Sequence, residues 1–242
     1  MRRLQRLPLS DGTVRVLEQR TAKVTAADDP AAEAKRLWNS KSNRAFDEVR
    51  AKLRKMASGL ERCNYCEDGQ GTDIEHFYPK AQYPKKAFTW ENYLLACSHC
   101  NSNQKRSLFP TTADDEPLLI DPTVDDPLEH LALTPSTGRY RDRGEKGAAS
   151  IRVFGLNREV LEKGRQDTWE AVENLLVRYA QLRASSEHER AEKIERVVRR
   201  HPFAGVFAHL LEISQGPGAE LLISAECRQA LRTCPEIRGW LE

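Results

Sequence analysis

Six cysteines occur in the 242-residue chain. Four form two tight pairs, Cys63-x2-Cys66 and Cys97-x2-Cys100, with 30 residues between the pairs. Two thiolates at this spacing grip one ion from a single turn, and a second pair completes a tetrahedron, the donor set of Zn²⁺. Four sulfurs saturate the ion, so the expected zinc is structural rather than catalytic, worth ~10–16 kcal/mol of folding free energy. A disulfide reading of the same cysteines needs an oxidising compartment. The N-terminus, MRRLQRLPLSDG, is basic and lacks the apolar stretch of a secretory signal, so a cytoplasmic location is expected. Cys227 and Cys234, seven positions apart in an expected helical tail, read as buried or idle thiols.

The segment DIEHFYPKAQYPKKAFTWENYLLACSHCNSNQKRSLFP (73–110) adds further chemistry. A carboxylate (Glu75) and an amide oxygen (Asn101) are hard donors suited to Mg²⁺ or Mn²⁺ rather than to a second zinc. His76 has an ordinary pKa near ~6.5, so it can be neutral at pH 7 and take a proton from water. Asn92 is placed to bond the other imidazole nitrogen through its side chain or its backbone carbonyl, fixing the tautomer. Asn101 follows the last expected zinc ligand directly, so the metal knuckle holds it. Each residue alone is most simply structural, an exposed polar pair or a turn cap. Together, inside a zinc-clamped insert, they point to hydrolysis.

These residues need positioning elements. Ile74 to Tyr78 is short and apolar-aromatic and stops at Pro79, which suits a strand, and Asn92 to Ala96 suits its antiparallel partner. The polar run from Asn101 to Arg106 starts a short helix. The knuckles therefore clamp a strand–loop–strand–helix unit.

That unit resembles the core of the HNH, or ββα-metal, endonucleases that carry a four-cysteine zinc site. The motif resemblance covers roughly residues 63–106. A wider similarity, from about residue 60 to about 170, is carried by IEHFYPK, W-x-NYLLAC-x2-CN-x3-K, LLIDPTVDDP and GLNREVL-x3-R. It resembles the PtuB-type nucleases of Septu antiphage systems and some retrons. The resemblance implies that Glu75 and Asn101 bind the catalytic Mg²⁺ or Mn²⁺, that His76 is the general base, and that Asn92 is the middle asparagine. His99 is a rival to Asn101 for the third position. Most HNH enzymes have Asp where Glu75 stands. Lys105 falls where a basic residue commonly touches phosphate, and Lys80, Lys85, Lys86 and Arg106 are further candidates for backbone contact. The implied reaction is phosphodiester hydrolysis leaving 5′-phosphate and 3′-hydroxyl ends, on DNA in preference to RNA. The implied partner is a PtuA-like ABC-type ATPase, since this chain has no Gly-rich phosphate loop of its own. The competing class is a non-catalytic zinc-knuckle adaptor that binds nucleic acid or protein.

The rest of the chain bounds the architecture. No apolar run approaches the ~20 residues of a membrane helix, and the composition fits neither collagen, coiled coil nor disorder. Residues 1–62 carry 15 basic and 8 acidic side chains, while 111–150 carry 4 and 9, so any polyanion preference sits at the N-terminal end. Residues 7–24 read as extended, with a hairpin turn at Asp11-Gly12. Helical pattern follows from Pro30 through Trp38 and from Asn43 to Met56, with Gly59 as a stop. A Pro/Asp-rich linker covers 110–127, and short strands are expected over 128–154 around Pro135–Gly138. A helix is expected from Asn157, with Leu161, Thr168, Trp169, Val172, Leu175, Leu176, Tyr179 and Leu182 on one face. Ser186 and Glu189 suggest a capping box for the next helix. The expected fold is thus α+β and mostly helical. It comprises an N-terminal extended segment and helices (1–62, a possible partner-docking region), the ββα-metal core (63–110), a linker with short strands (111–156) and a helical region (157–242).

Overall fold

A computed structural model describes residues 1–41 and 44–241. It is mostly helical, with two small antiparallel hairpins. Three helices come first: α1 (Asp11–Ala26), α2 (Pro30–Asn39) and α3 (Arg44–Met56). Ser10 caps α1, its hydroxyl accepting from the Thr13 amide. Asp29 caps α2, accepting from the amides of Ala31 and Ala32, with Pro30 at the first helical position. The expected extended segment and Asp11-Gly12 hairpin are therefore corrected: these residues form the first turns of α1. Thr13, Leu17 and Val24 are the buried residues, a helical spacing, and tertiary packing overrides the weak β-preference of this segment. Asn43, the expected start of the third helix, lies outside the described residues.

The nuclease-like insert follows. β1 (Asp73–His76) pairs antiparallel with β2 (Tyr93–Ala96) in the register Glu75↔Leu94 and His76↔Tyr93. Period-two alternation sends β2 into two cores. Tyr93 and Leu95 join Leu37, Trp38, Phe46 and Leu53 from the N-terminal helices, whereas Leu94 and Ala96 join the main core beneath. All four β2 residues are buried. A π-helical segment, His99–Lys105, follows β2.

The chain continues through α4 (Pro127–His130), β3 (Leu131–Thr134), β4 (Arg139–Asp142) and α5 (Glu145–Phe154). Within the expected strand region 128–154, strands occur at 131–134 and 139–142, whereas 128–130 and 145–154 are helical. Ala149, Val153 and Phe154 bury there, and Gly155 ends the helix in the left-handed conformation (φ 58°). The long α6 (Glu159–Ala184) buries Leu161, Thr168, Trp169, Val172, Leu176, Tyr179 and Leu182, close to the expected stripe. It also buries Arg165, whose guanidinium donates to the carbonyls of Gly138 (2.5 Å) and Leu156 (2.7 Å). The helices α7 (His188–Arg200), α8 (Ala204–Ile213), α9 (Ala219–Leu222) and α10 (Ala225–Thr233) complete the main core. The expected capping box is absent: Ser186 has φ 58° and Glu187 occupies the cap position without a side-chain bond. Among the described residues no helix is long and apolar enough to cross a membrane.

Candidate active site and metal centre

The two cysteine knuckles meet. The Sγ atoms of Cys63, Cys66, Cys97 and Cys100 all lie within 4.8 Å of one another, and Cys66 and Cys97 are 3.9 Å apart. A tetrahedral ion with Zn–S bonds of ~2.3 Å spaces its sulfurs at about 3.8 Å, so this donor set fits zinc. None of the six cysteines is in a disulfide. Gly69 packs closely against this site: a Cβ there would meet the Cys97 side chain at 3.2 Å. The Cys100 thiol, donating to Cys66, helps pull that thiol down to about 6, while burial pushes Cys63 well up. Zinc would convert the whole set to thiolates.

The cysteine knuckles flank the hairpin that carries Glu75 and His76. Asn64, inside the first knuckle, accepts from the Leu95 amide of β2 (2.8 Å). The Asn101 amide in the second knuckle donates to the Cys97 carbonyl (3.0 Å). One cleft of about 240 Å³ is lined by Glu75, His76, Lys80, Asn101 and Arg106, together with Trp38 from α2.

His76 ends β1 and is 6% exposed. Its Nε2 lies 3.0 Å from the Ala87 carbonyl. A carbonyl only accepts, so Nε2 carries the hydrogen and Nδ1 is left with its lone pair. The ring packs 4.2 Å from Trp38 and 5.3 Å from Tyr93. The Tyr93 hydroxyl donates to the same Ala87 oxygen at 2.7 Å. Burial, set against the Ala87 bond and aided by the charges of Lys80, Lys105 and Lys41, lowers the His76 pKa to about 3. The imidazole is therefore neutral at any ordinary pH.

Asn92 does not touch this ring, contrary to the expectation from sequence. Its Oδ1 accepts from the Tyr78 amide (2.7 Å), and its Nδ2 donates to the carbonyls of Tyr78 (3.1 Å) and Lys86 (2.8 Å). It pins the two ends of the loop that presents the Ala87 carbonyl, and so acts on the imidazole at one remove.

Glu75 and Lys105 also depart from expectation. The Glu75 Oε2 accepts from the Tyr65 hydroxyl at 2.8 Å, and Oε1 pairs with the Lys105 ammonium at 2.7 Å. Both side chains are essentially sealed from solvent (1% and 0% exposed). Lys105 donates in addition to the His76 carbonyl (2.8 Å). A fully buried ammonium cannot also reach a substrate phosphate, so Lys105 is corrected from a phosphate contact to an internal brace between the π-helical segment and β1. The same contacts engage both Glu75 oxygens where the residue borders the cleft, Oε1 by Lys105 and Oε2 by Tyr65. Asn101 is less engaged. Its Nδ2 donates to Asp73 Oδ2 (3.1 Å), leaving the amide oxygen without a partner among the described residues, and the residue lines the cleft.

The basic candidates separate in the same way. Lys80 and Arg106 line the cleft, and burial followed by the Lys41 charge lowers the Lys80 pKa. Lys86 instead lies 3.3 Å from the centre of the Tyr78 ring, outside the cleft, and Lys85 is exposed elsewhere on the loop. His99 faces Gln104 (3.2 Å) and is not part of the cleft. Sequence reasoning missed Trp38, Tyr65, Ala87 and Tyr93. Ala87 acts through its backbone and leaves no side-chain signal. Trp38 read as helix core, which it also is.

Comparison with known proteins places this geometry. Residues 63–107 match the model of the HNH endonuclease family. This segment is therefore similar to the HNH endonuclease domain. The chain is 32% identical over 150 residues to the Septu protein PtuB of Bacillus mycoides (strain KBAB4), covering 49% of this chain and 50% of that protein. It is 31% identical over 111 residues to Septu protein PtuB of Bacillus thuringiensis, covering 44% and 40%. It is also 34% identical over 71 residues to Protein ea31 of Escherichia phage lambda, covering 29% and 23%. The chain thus spans half or less of the length of these relatives.

Proposed function

We propose that the chain is a metal-dependent endonuclease that hydrolyses phosphodiester bonds, with His76 as general base. The observation that carries this reading is the His76–Ala87 bond: it fixes the tautomer whose Nδ1 can accept a proton, inside a cleft shared with Asn101, Lys80 and Arg106. Nδ1, unprotonated at the working pH, takes the proton of a water that attacks phosphorus in line. Lys80 and Arg106 bind non-bridging phosphate oxygens and hold the ester against that water. Asn92 and Tyr93 keep the Ala87 carbonyl in place, and the zinc knuckles set the distance between β1 and Asn101. A Mg²⁺ or Mn²⁺ ion held by the Asn101 amide oxygen and by phosphate and water oxygens would supply charge neutralisation at the scissile group.

DNA is the favoured substrate. The similarity to Septu proteins supports a role in antiphage defence, with an ABC-type ATPase of the PtuA kind as partner. The test is incubation of the zinc-loaded chain, alone and with such an ATPase, with supercoiled plasmid, linear duplex and structured RNA, with and without Mg²⁺. Magnesium-dependent nicking of plasmid is the expected result. Cleavage of RNA alone would move the substrate. Binding without cleavage of any substrate would favour an adaptor and overturn the nuclease reading.

A further inference from the structure

The N-terminal arm builds a second cationic groove that the catalytic cleft does not include. The groove, of about 580 Å³, is lined by Arg2, Arg3, Arg6 and Lys55 over an apolar floor that includes Leu4 and Met56. Among the described residues, no carboxylate lines it. The charges are not equivalent. Arg6 is spent on structure: its guanidinium donates to the carbonyls of Trp90 (3.0 Å), Glu91 (3.0 Å) and Tyr93 (2.8 Å) and to the Thr123 hydroxyl (2.7 Å). Arg2 donates from one end to the Leu241 carbonyl at 2.6 Å, and its Nε is buried without a partner. Arg3 and Lys55 are exposed and make no ion pair among the described residues. Glu67, the carboxylate whose charge acts on Arg2, is already taken by the Met1 ammonium (2.8 Å) and the Gly205 amide (3.0 Å).

Three cations with unspent donors, one of them held rigid with an orphan N–H, converge here, and none of them makes an ion pair among the described residues. Lysine and forked arginine donors of this kind match phosphate oxygens. We infer that this groove binds backbone phosphates of a polynucleotide, through Arg2, Arg3 and Lys55. The inference rests on the nuclease reading for its choice of polyanion and extends the nucleic-acid footprint beyond residues 63–107. It also gives the basic excess of residues 1–62 a place on the fold.

The test uses the full-length chain carrying His76→Ala, so that the probe is not cut, with and without Arg3→Glu and Lys55→Glu together. Fluorescence anisotropy of a labelled 20-mer, as single strand and as duplex, is read from 50 to 300 mM salt. Each lost phosphate contact removes ~0.7 (single strand) to ~0.9 (duplex) from the slope of log K against log salt. Two contacts therefore amount to about 25- to 60-fold in affinity at 0.1 M salt. The expected result is a fall of that order in affinity and about 1.4–1.8 in slope, with melting temperature and zinc content unchanged. Unchanged affinity and slope in the double variant would overturn the inference. So would a variant that loses binding of inorganic phosphate or of a polyglutamate peptide while keeping its oligonucleotide slope, since the groove would then serve a small anion or an acidic protein. If wild type cleaves while the double variant binds normally, only the groove falls. If wild type neither binds nor cleaves, the nuclease reading falls with it.

Discussion

Replacing Lys105 by methionine separates two roles that sequence alone confuses. If Lys105 contacted phosphate from the surface, Lys105→Met would leave stability almost unchanged and weaken nucleic-acid binding. In the structure its ammonium is 2.7 Å from Glu75 Oε1 and 2.8 Å from the His76 carbonyl, with neither Lys105 nor Glu75 open to solvent. Methionine fills nearly the same volume but leaves a buried carboxylate with only the Tyr65 hydroxyl for company. Removing one partner of a buried ion pair costs ~3–5 kcal/mol. For a chain of this length each kcal/mol shifts the melting temperature by ~2–4 °C. The expected drop is therefore about 6–20 °C in thermal denaturation followed by circular dichroism, with zinc present in excess. Adding Glu75→Gln removes the stranded charge, so the double variant should melt well above the single one, a coupling that a double-mutant cycle isolates. A Lys105→Met protein that melts within about 2 °C of wild type, but whose oligonucleotide binding loses about one unit of salt slope, would refute the brace and restore the phosphate contact.

Three further outcomes follow from the same geometry. Trp38→Ala should cost ~3–5 kcal/mol through the cavity it leaves and admit water to the His76 ring; the His76 pKa, followed by NMR, should then rise from about 3 towards its ordinary value, and an unmoved pKa would contradict burial as the cause. Acidification should destabilise the fold. Burial lowers His76 to about 3 and, with the Met1 ammonium, His209 to about 4, so the unfolded chain binds more protons between those values and pH ~6.5. Stability is then complete above pH ~6.5 and falls towards pH 4, by up to ~1.4 kcal/mol per pH unit for each histidine; urea midpoints that stay flat from pH 7 to pH 5 would count against it. The purified chain should carry one zinc by elemental analysis, and removing it with a strong chelator, or weakening it by Cys100→Ser, should unfold residues 63–107 and abolish protection of the β1–β2 amides from hydrogen exchange; a metal-free chain with those amides still protected would contradict the structural role.

The parts of this fold legible in the sequence are those in which one residue type implies one geometry. The cysteine spacing specified a tetrahedral sulfur site, and the four sulfurs do converge. The first strand was legible in place, though it runs Asp73–His76 and stops short of the expected Tyr78, and most of the apolar stripe of α6 was visible, Leu175 being the one expected residue not buried. What escaped depends on contacts distant in sequence. The β-branched start of α1 looked extended because its partners, the apolar residues of α2 and α3 and the loop around Phe88, are not visible locally. The imidazole is oriented by the carbonyl of Ala87, which any residue there would supply, with Asn92 and Tyr93 fixing the carbonyl rather than the ring. Lys105 read as a surface cation because lysine usually is one; its burial follows only from the closure of the π-helical segment onto β1, which brings it to Glu75. Trp38 lies outside the family motif entirely, yet it walls the cleft.

The most direct test of the whole account is the rate of magnesium-dependent nicking of supercoiled plasmid by wild type and by His76→Ala, each with its zinc content and melting curve measured alongside. A loss of about 10²-fold or more with the zinc retained is the expected result. Nicking by His76→Ala at the wild-type rate would contradict the assignment of the base and, with it, the function built on this cleft.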